Sequence, residues 1–339
     1  MRQLITIAAR SMSGGKNDGS ARGGSTARRV ALLAAGAVLA AACQSSGAAD
    51  SMPTGGFWSA APNSDEQRLE VLRKVRAIDV CALLPRESLG EFGAVTEVEN
   101  VSPQQCRANM AVDGRPGGID VTWTTNADFS GKYDMGDRPL TERALGDVRA
   151  LYAEEPATDP TLRSSCDAYA LFVSGASLML SVRAPQDACA TAESLLRIAL
   201  VTWREDPAQG SSPDSDRTVL SGADPCAAAP LIGTHVPVDH QGIVQCAMTV
   251  DGKEAIVSFD YRQEHSLLDE VPAFTVGSRQ VYRFDSAVSS IMSLTAAVGP
   301  ALTPGTSDKL LGPRVPVVTV TADPAVAEQV MRETLATLN

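Results

Sequence analysis

Seven cysteines and three histidines are the side chains in this sequence best suited to chemistry. The thiols are Cys43, Cys81, Cys106, Cys166, Cys189, Cys226 and Cys246. No two stand as Cys-x-x-Cys and none joins a histidine at zinc spacing, so neither a thioredoxin-like redox pair nor a zinc site is expected. With Cys43 set aside, six remain. An even set outside the cytoplasm reads as three disulfides, for which spacing alone leaves 15 pairings open. His235, His240 and His265 all fall in the last third of the chain, so the earlier part cannot hold a Ser/His/Asp triad by itself. There is no G-x-S-x-G, HExxH, P-loop or dinucleotide-binding GxGxxG, and S-x-x-K occurs only at Ser13–Lys16. His235, Asp239 and His240 could be read as metal ligands, but their spacing in a proline-containing loop is poor for one, and two solvated histidines are expected. Asp214-Ser215-Asp216 lacks the glycine and distal glutamate of a calcium loop and reads as a solvated linker. No catalytic, cofactor or metal residues are therefore assigned. The enzymatic alternative is a carboxylate-using hydrolase built on Asp260, Glu264 and Asp269, which needs two of these groups facing each other in a cleft.

Cys43 has a different setting. Arg28 and Arg29 precede an uncharged apolar run, Val30 to Ala42, whose 13 residues match a signal-peptide h-region and are too few to span a bilayer. Leu39-Ala-Ala-Ala-Cys43 resembles the bacterial lipobox, with Ala40 where that motif prefers leucine. Residues 1–42 are thus expected to be a lipoprotein signal peptide and Cys43 the lipid-bearing residue of the mature chain. The alternative is an ordinary secretory signal cleaved near Ala42, which leaves Cys43 a free thiol. Translation from Met12 instead of Met1 stays open. Sec export fits better than a twin-arginine route, because Ala27 and Ala31 do not match the latter.

The chain carries a net charge of −11. Six basic groups and one acid lie in residues 1–43, so the remainder holds 23 basic against 39 acidic groups, a net of −16. That excludes nucleic acid as a partner and disfavours charge-driven docking to anionic lipid. The expected membrane contact is through the N-terminal lipid.

The elements that position these residues come in two sets. Ile78-Asp-Val-Cys81-Ala-Leu-Leu-Pro85 resembles Ala223-Asp-Pro-Cys226-Ala-Ala-Ala-Pro230. Gln105-Cys106 before Val112-Asp-Gly114 matches Gln245-Cys246 before Val250-Asp-Gly252, and the segment Leu145 to Tyr152 parallels Val276 to Tyr282. Asp187 to Glu193 parallels Asp323 to Glu328. This repeat assigns the pairs Cys81–Cys106 and Cys226–Cys246, and leaves Cys166 with Cys189. Each bridge closes a loop worth about 3 kcal/mol in the chain-entropy model.

Each copy reads as α+β. A helix capped by Ser64 with Gln67 presents Leu69, Leu72 and Val75, and a short helix from Pro85 ends near Gly93. A hairpin with Asp251-Gly252 at its tip spans 248–259, and its first counterpart spans 108–124 with a longer Gly-Arg-Pro-Gly turn. Further strands are expected near 148–154, 168–173, 177–183, 278–285, 289–296 and 315–321. Closing helices are capped by Asp187 and by Asp323 with Pro324. Their apolar faces are Ala192, Leu195, Leu196 and Ala199 in one, and Ala327, Val330, Met331, Leu335 and Leu338 in the other. The expected architecture is two tandem, disulfide-stapled copies of an antiparallel sheet with N- and C-terminal helices: a tether at 43–62, copies at 63–204 and 222–339, and a linker at 205–221. Trp58 lies in the tether, where it either meets the membrane surface or folds back on a domain. Trp123 and Trp203 read as core.

The Asp-Val/Pro-Cys openings, the later Gln-Cys and the lipobox together resemble actinobacterial cell-envelope lipoproteins built on a Cys-paired domain of unknown function, over residues 78–202 and 223–338. The element order is also similar to the Mog1/PsbP-like fold of some mycobacterial lipoproteins. The resemblance implies a lipid-anchored protein on the extracytoplasmic face of the membrane, and it supplies no functional residues. The functional expectation is a non-enzymatic binding or interaction module of the cell envelope, whose partner is an envelope protein or a small apolar ligand.

Overall fold

The computed structural model describes residues 56–113, 115–130, 138–155, 163–285, 291–303, 305 and 312–338. The signal-peptide, start-site and lipidation expectations, Cys43 included, lie outside the described residues.

The first sheet has seven antiparallel strands: β1 (Ala94–Ser102), β2 (Gln105–Val112), β3 (Arg115–Ala127), β4 (Leu140–Leu145), β5 (Val148–Glu155), β6 (Ser164–Leu171) and β7 (Ala176–Ala184). Their order across the sheet is β1-β2-β3-β7-β6-β5-β4. Two helices lie against it, α1 (Asp65–Ala77) and α3 (Ala188–Trp203), with the short α2 (Arg86–Leu89) between α1 and β1. The second sheet has six strands: β8 (Gln245–Val250), β9 (Lys253–Gln263), β10 (Val271–Val276), β11 (Arg279–Asp285), β12 (Met292–Ala297) and β13 (Arg314–Ala322). Two short helices, α4 (Ala229–Ile232) and α5 (Glu264–Leu268), precede and interrupt it, and α6 (Pro324–Ala336) closes the chain. Read from β8, its order is β8-β9-β13-β12-β11-β10. With β1 removed, the first sheet has the same order of corresponding strands.

The helix ends follow their caps. Ser64 Oγ accepts from the Gln67 N–H and Gln67 Oε1 accepts from the Asn63 N–H, which starts α1. Asp187 accepts from the Ala190 N–H at 2.8 Å and Asp323 from the Ala325 N–H at 2.9 Å, starting α3 and α6. Val71, Leu72 and Val75 of α1 share one buried cluster with Leu195, Leu196 and Trp203 of α3 and with Trp123 and Leu180 of the sheet. The second cluster joins Val330, Met331 and Leu335 of α6 to Val257, Phe259 and Val320. Leu69 is 40% exposed, so the buried stripe of α1 runs through Val71 instead.

The three disulfides are Cys81–Cys106, Cys166–Cys189 and Cys226–Cys246. Such bonds persist in oxidising compartments, and three of them are compatible with an extracytoplasmic protein. No helix among the described residues is long and apolar enough to cross a membrane.

Several expectations need correction. The short helix ends at Leu89, with Gly90 as its cap, and not at Gly93. The first hairpin turns as tightly as the second, because Val112 pairs with Arg115 across it. The Arg-Pro-Gly stretch therefore belongs to β3. Tyr152 and Tyr282 are not equivalent. Leu145 pairs with Val148 and Val276 with Arg279, so counting from the turns sets Tyr282 opposite Leu151 in the comparison. Tyr152 points to the helix-covered core, whereas Tyr282 packs on a separate cluster with Val315 and Val317.

Each of the four edge strands is charged, interrupted or covered. β4 is exposed and charged, with Glu142 bonded to Arg149. β10 carries Pro272 and a register shift before Phe274. Outside β8, the Gln241–Cys246 bridge pairs the chain back on itself. Beside β1, Asn100 receives hydrogen bonds from Asp216 N–H and from Arg314.

Candidate functional site

The second half meets the first along a polar seam. Arg314, at the start of β13, donates to Glu99 Oε2 at 2.9 Å and to the Asn100 carbonyl at 2.6 Å, all of it buried. Arg107 holds the same Glu99 carboxylate. Residues 205–221, expected to be a loose linker, are bound into this seam. Asp79 accepts from Ser212 N–H and Ser215 Oγ, Arg86 forks onto Asp214 at 2.6–2.9 Å, and Asp216 accepts from Thr303 N–H. Asp214 and Asp216 are therefore structural partners and not solvated linker acids.

Beside this seam runs a groove of about 680 Å³ between α1 and residues 222–241. Sequence dictates both walls. On α1, the turn that buries Val71, Leu72 and Val75 leaves Leu69 and Arg73 on the groove side. The other wall starts from the Cys226–Cys246 bridge, which pins residues 222–232 against β8. Gly233 then ends α4 with φ 79°, a conformation that suits glycine. The Thr234 hydroxyl donates to the Thr249 carbonyl at 2.7 Å, and Gln241 donates to the Val236 carbonyl at 2.9 Å. Ala227, Pro230, Val236 and Val238 give this wall a mainly apolar character.

Arg76 closes the floor. It is 6% exposed, bonds Asp224 at 3.0 Å and donates to the Gly242 carbonyl at 2.8 Å. Burial lowers its pKa, and the Asp224 charge opposes that shift. Asp224 in turn accepts from the Cys226 N–H at 2.8 Å, so the disulfide, the ion pair and the joint between halves are coupled. The groove has an apolar wall at Ala227, Pro230, Val236 and Val238 that can hold an apolar body, and a polar rim of Asp65, Glu66, Glu70, Arg73 and His235.

The remaining candidates disperse. His235, Asp239 and His240 are all exposed, and no group of three or more potential metal ligands occurs among the described residues. His265, Glu264 and Asp269 are exposed on or beside α5. Asp260 keeps an exposed edge on β9, although desolvation raises its carboxyl above the ordinary aspartate range and the Tyr261 N–H bond opposes this. No hydrogen bond or ion pair among the described residues links Asp260, Glu264 and Asp269.

Trp58 folds back. It is 6% exposed, packs on Trp203 with ring centroids 5.3 Å apart, and donates to Asp206 at 2.9 Å. The segment from Phe57 is thus docked structure, not tether. Trp123 and Trp203 are fully buried; Trp123 donates to the Val80 carbonyl at 2.6 Å. Sequence reasoning missed the groove itself. Its one available signal was Arg76, a charge set beside Val71, Leu72 and Val75 on the inward side of α1.

No family model matches the chain, and no curated protein matches it. Among solved structures, the crystal structure of the di-domain ARO/CYC BexL from the BE-7585A biosynthetic pathway is similar over 78% of this chain and 84% of that one, at 10% identity and a TM-score of 0.17. A likeness at that score carries no argument about fold or function.

Proposed function

We propose that this chain is a lipid-anchored module of the cell envelope, built from two tandem copies of one α+β unit, that binds a small apolar ligand where the copies meet. The groove between α1 and residues 222–241 carries this reading. Its volume lies within the roughly 300–1,000 Å³ usual for small-molecule sites, and its lining is mainly apolar. The shared strand order, and the equivalent places of Cys81–Cys106 and Cys226–Cys246, support the duplication. The anchor rests on the apolar run before Cys43 and on the pairing of the other six cysteines with one another. The module is read as non-catalytic because its sequence carries none of the catalytic motifs sought above.

The test is recovery of bound ligand. The full chain is purified from membranes and its organic extract examined by mass spectrometry, beside Ala227→Trp. Ala227 is exposed and lines the groove, so the indole fills the trough without entering either core. An apolar molecule recovered with the native chain and reduced at least about tenfold with Ala227→Trp is the expected result. Equal recovery from both, or none from either, overturns the reading.

A further inference from the structure

A second cavity lies wholly within the first half, between α3 and the β4–β5 hairpin, with a volume of about 620 Å³. Its floor is Tyr152, 5% exposed and packed in the first core. The Tyr152 hydroxyl is buried without a hydrogen-bond partner. A buried hydroxyl left unpaired costs about 1–3 kcal/mol, so folds rarely keep one without a use. Burial pushes its pKa up to about 12, which keeps the group protonated and a donor.

The groups around it are donors too. Arg143 on β4 lies over the Tyr152 ring, 5.6 Å from its centroid, and Arg197 on α3 stands across from it. Both guanidiniums bond one carboxylate, Glu193. Of the other acids at the cavity, Asp187 is engaged as the cap of α3, and Glu154 is exposed at the edge. Beside the hydroxyl, two guanidiniums thus share a single carboxylate. The remaining walls, Pro139, Ala190 and the Cys189 disulfide, are apolar.

The corresponding place in the second half is built differently. Phe274 occupies the hairpin position that corresponds to Arg143, with Arg332 stacked 4.6 Å from its ring centroid. Arg279 ties β11 to the end of α6 by donating to the Leu335 and Leu338 carbonyls at 2.9 and 3.0 Å. The same helix-against-hairpin space is thus filled in one half and left open, with an unpaired hydroxyl, in the other.

We infer that the cavity between α3 and the β4–β5 hairpin binds a small organic carboxylate with an apolar body, whose carboxylate accepts from Tyr152 Oη and Arg143. The chain's overall negative charge is no bar, because exposed charges more than about 10 Å away are largely screened at physiological salt.

Calorimetric titration of the full chain with benzoate, cinnamate and 2-naphthoate, each beside its neutral carboxamide, tests this. The carboxylates are expected to bind and the carboxamides to bind more weakly. Tyr152→Phe and Arg143→Gln should each weaken carboxylate binding about tenfold or more, the loss of one charge-assisted hydrogen bond. Ala227→Trp should leave it unchanged, which separates this site from the groove at the joint. Absence of binding by any carboxylate, or binding unaffected by Tyr152→Phe, overturns the inference. So does a lowered melting temperature in Tyr152→Phe with no carboxylate bound, since the hydroxyl would then serve the fold alone.

Discussion

Replacing Trp58 by alanine tests whether the segment before α1 belongs to the folded body. The indole is 94% buried in effect, being 6% exposed, and it contacts Trp203 edge-on and Phe172 at 6.1 Å between centroids. Its N–H bonds Asp206 at 2.9 Å, and next to it Ser59 bonds the Asp147 carboxylate, which Arg204 also holds at 2.6 Å. Truncating a buried Trp to Ala costs about 3–5 kcal/mol. The lower end applies here. Phe57–Ser59 lies at the surface and can undock, so the loss is limited to what its docking contributes. Asp206 also keeps Lys74 at 3.1 Å and is not stranded. Trp58→Phe retains the ring but not the donor and should lose only about 1 kcal/mol. Urea denaturation with the disulfides intact, followed by circular dichroism so that the lost indole does not confuse the signal, measures both. A cost of about 3 kcal/mol corresponds to roughly 6–12 °C in melting temperature for a body of this size. A Trp58→Ala loss below about 1 kcal/mol would refute the docking and return the segment to the role of a spacer.

Two further outcomes follow from the seam and the N-terminus. Arg314→Met removes one of the partners of buried Glu99 and a donor to the Asn100 carbonyl; breaking a buried pair costs about 3–5 kcal/mol, and Arg107, which still holds Glu99, keeps the loss near the lower figure. Calorimetry should then resolve separate unfolding of the two cores, whereas a single unshifted transition would show that the seam does not couple them. Cys43→Ser should abolish fatty-acid labelling and leave the chain either secreted or held by an uncleaved signal; labelling that persists contradicts lipidation at that residue.

Local signals and long-range ones separate cleanly in this chain. Ser64, Asp187 and Asp323 announce helix starts because capping is decided within three residues, and Asp251-Gly252 announces a turn for the same reason. The cysteine pairs were legible because the repeat supplied an internal reference. β1 was not, because Val98, Glu99 and Asn100 are buried in succession and two of the three are polar, so no apolar alternation marks the strand. β10 fails for another reason: nearly all of it is exposed, so no burial pattern exists to read. Residues 205–221 have a linker's composition, yet Asp206, Asp214 and Asp216 bond residues 87 to 148 positions away. Nothing in a sequence window reports such partners. Tyr152 and Tyr282 show the opposite error, in which a matching letter suggested equivalence that the ladders place one residue apart.

The treatment of the sheet edges bears on the lipid-anchored form proposed above. Molecules confined to a membrane plane meet one another far more often than the same number free in solution, and any open strand edge becomes a template for joining neighbours. Here the charged β4, the proline and register shift of β10, the back-paired Gln241 outside β8 and the Asn100 contacts beside β1 each deny a neighbour a clean ladder. In the anchored form proposed above, chains crowded side by side would thus be offered no clean ladder to join.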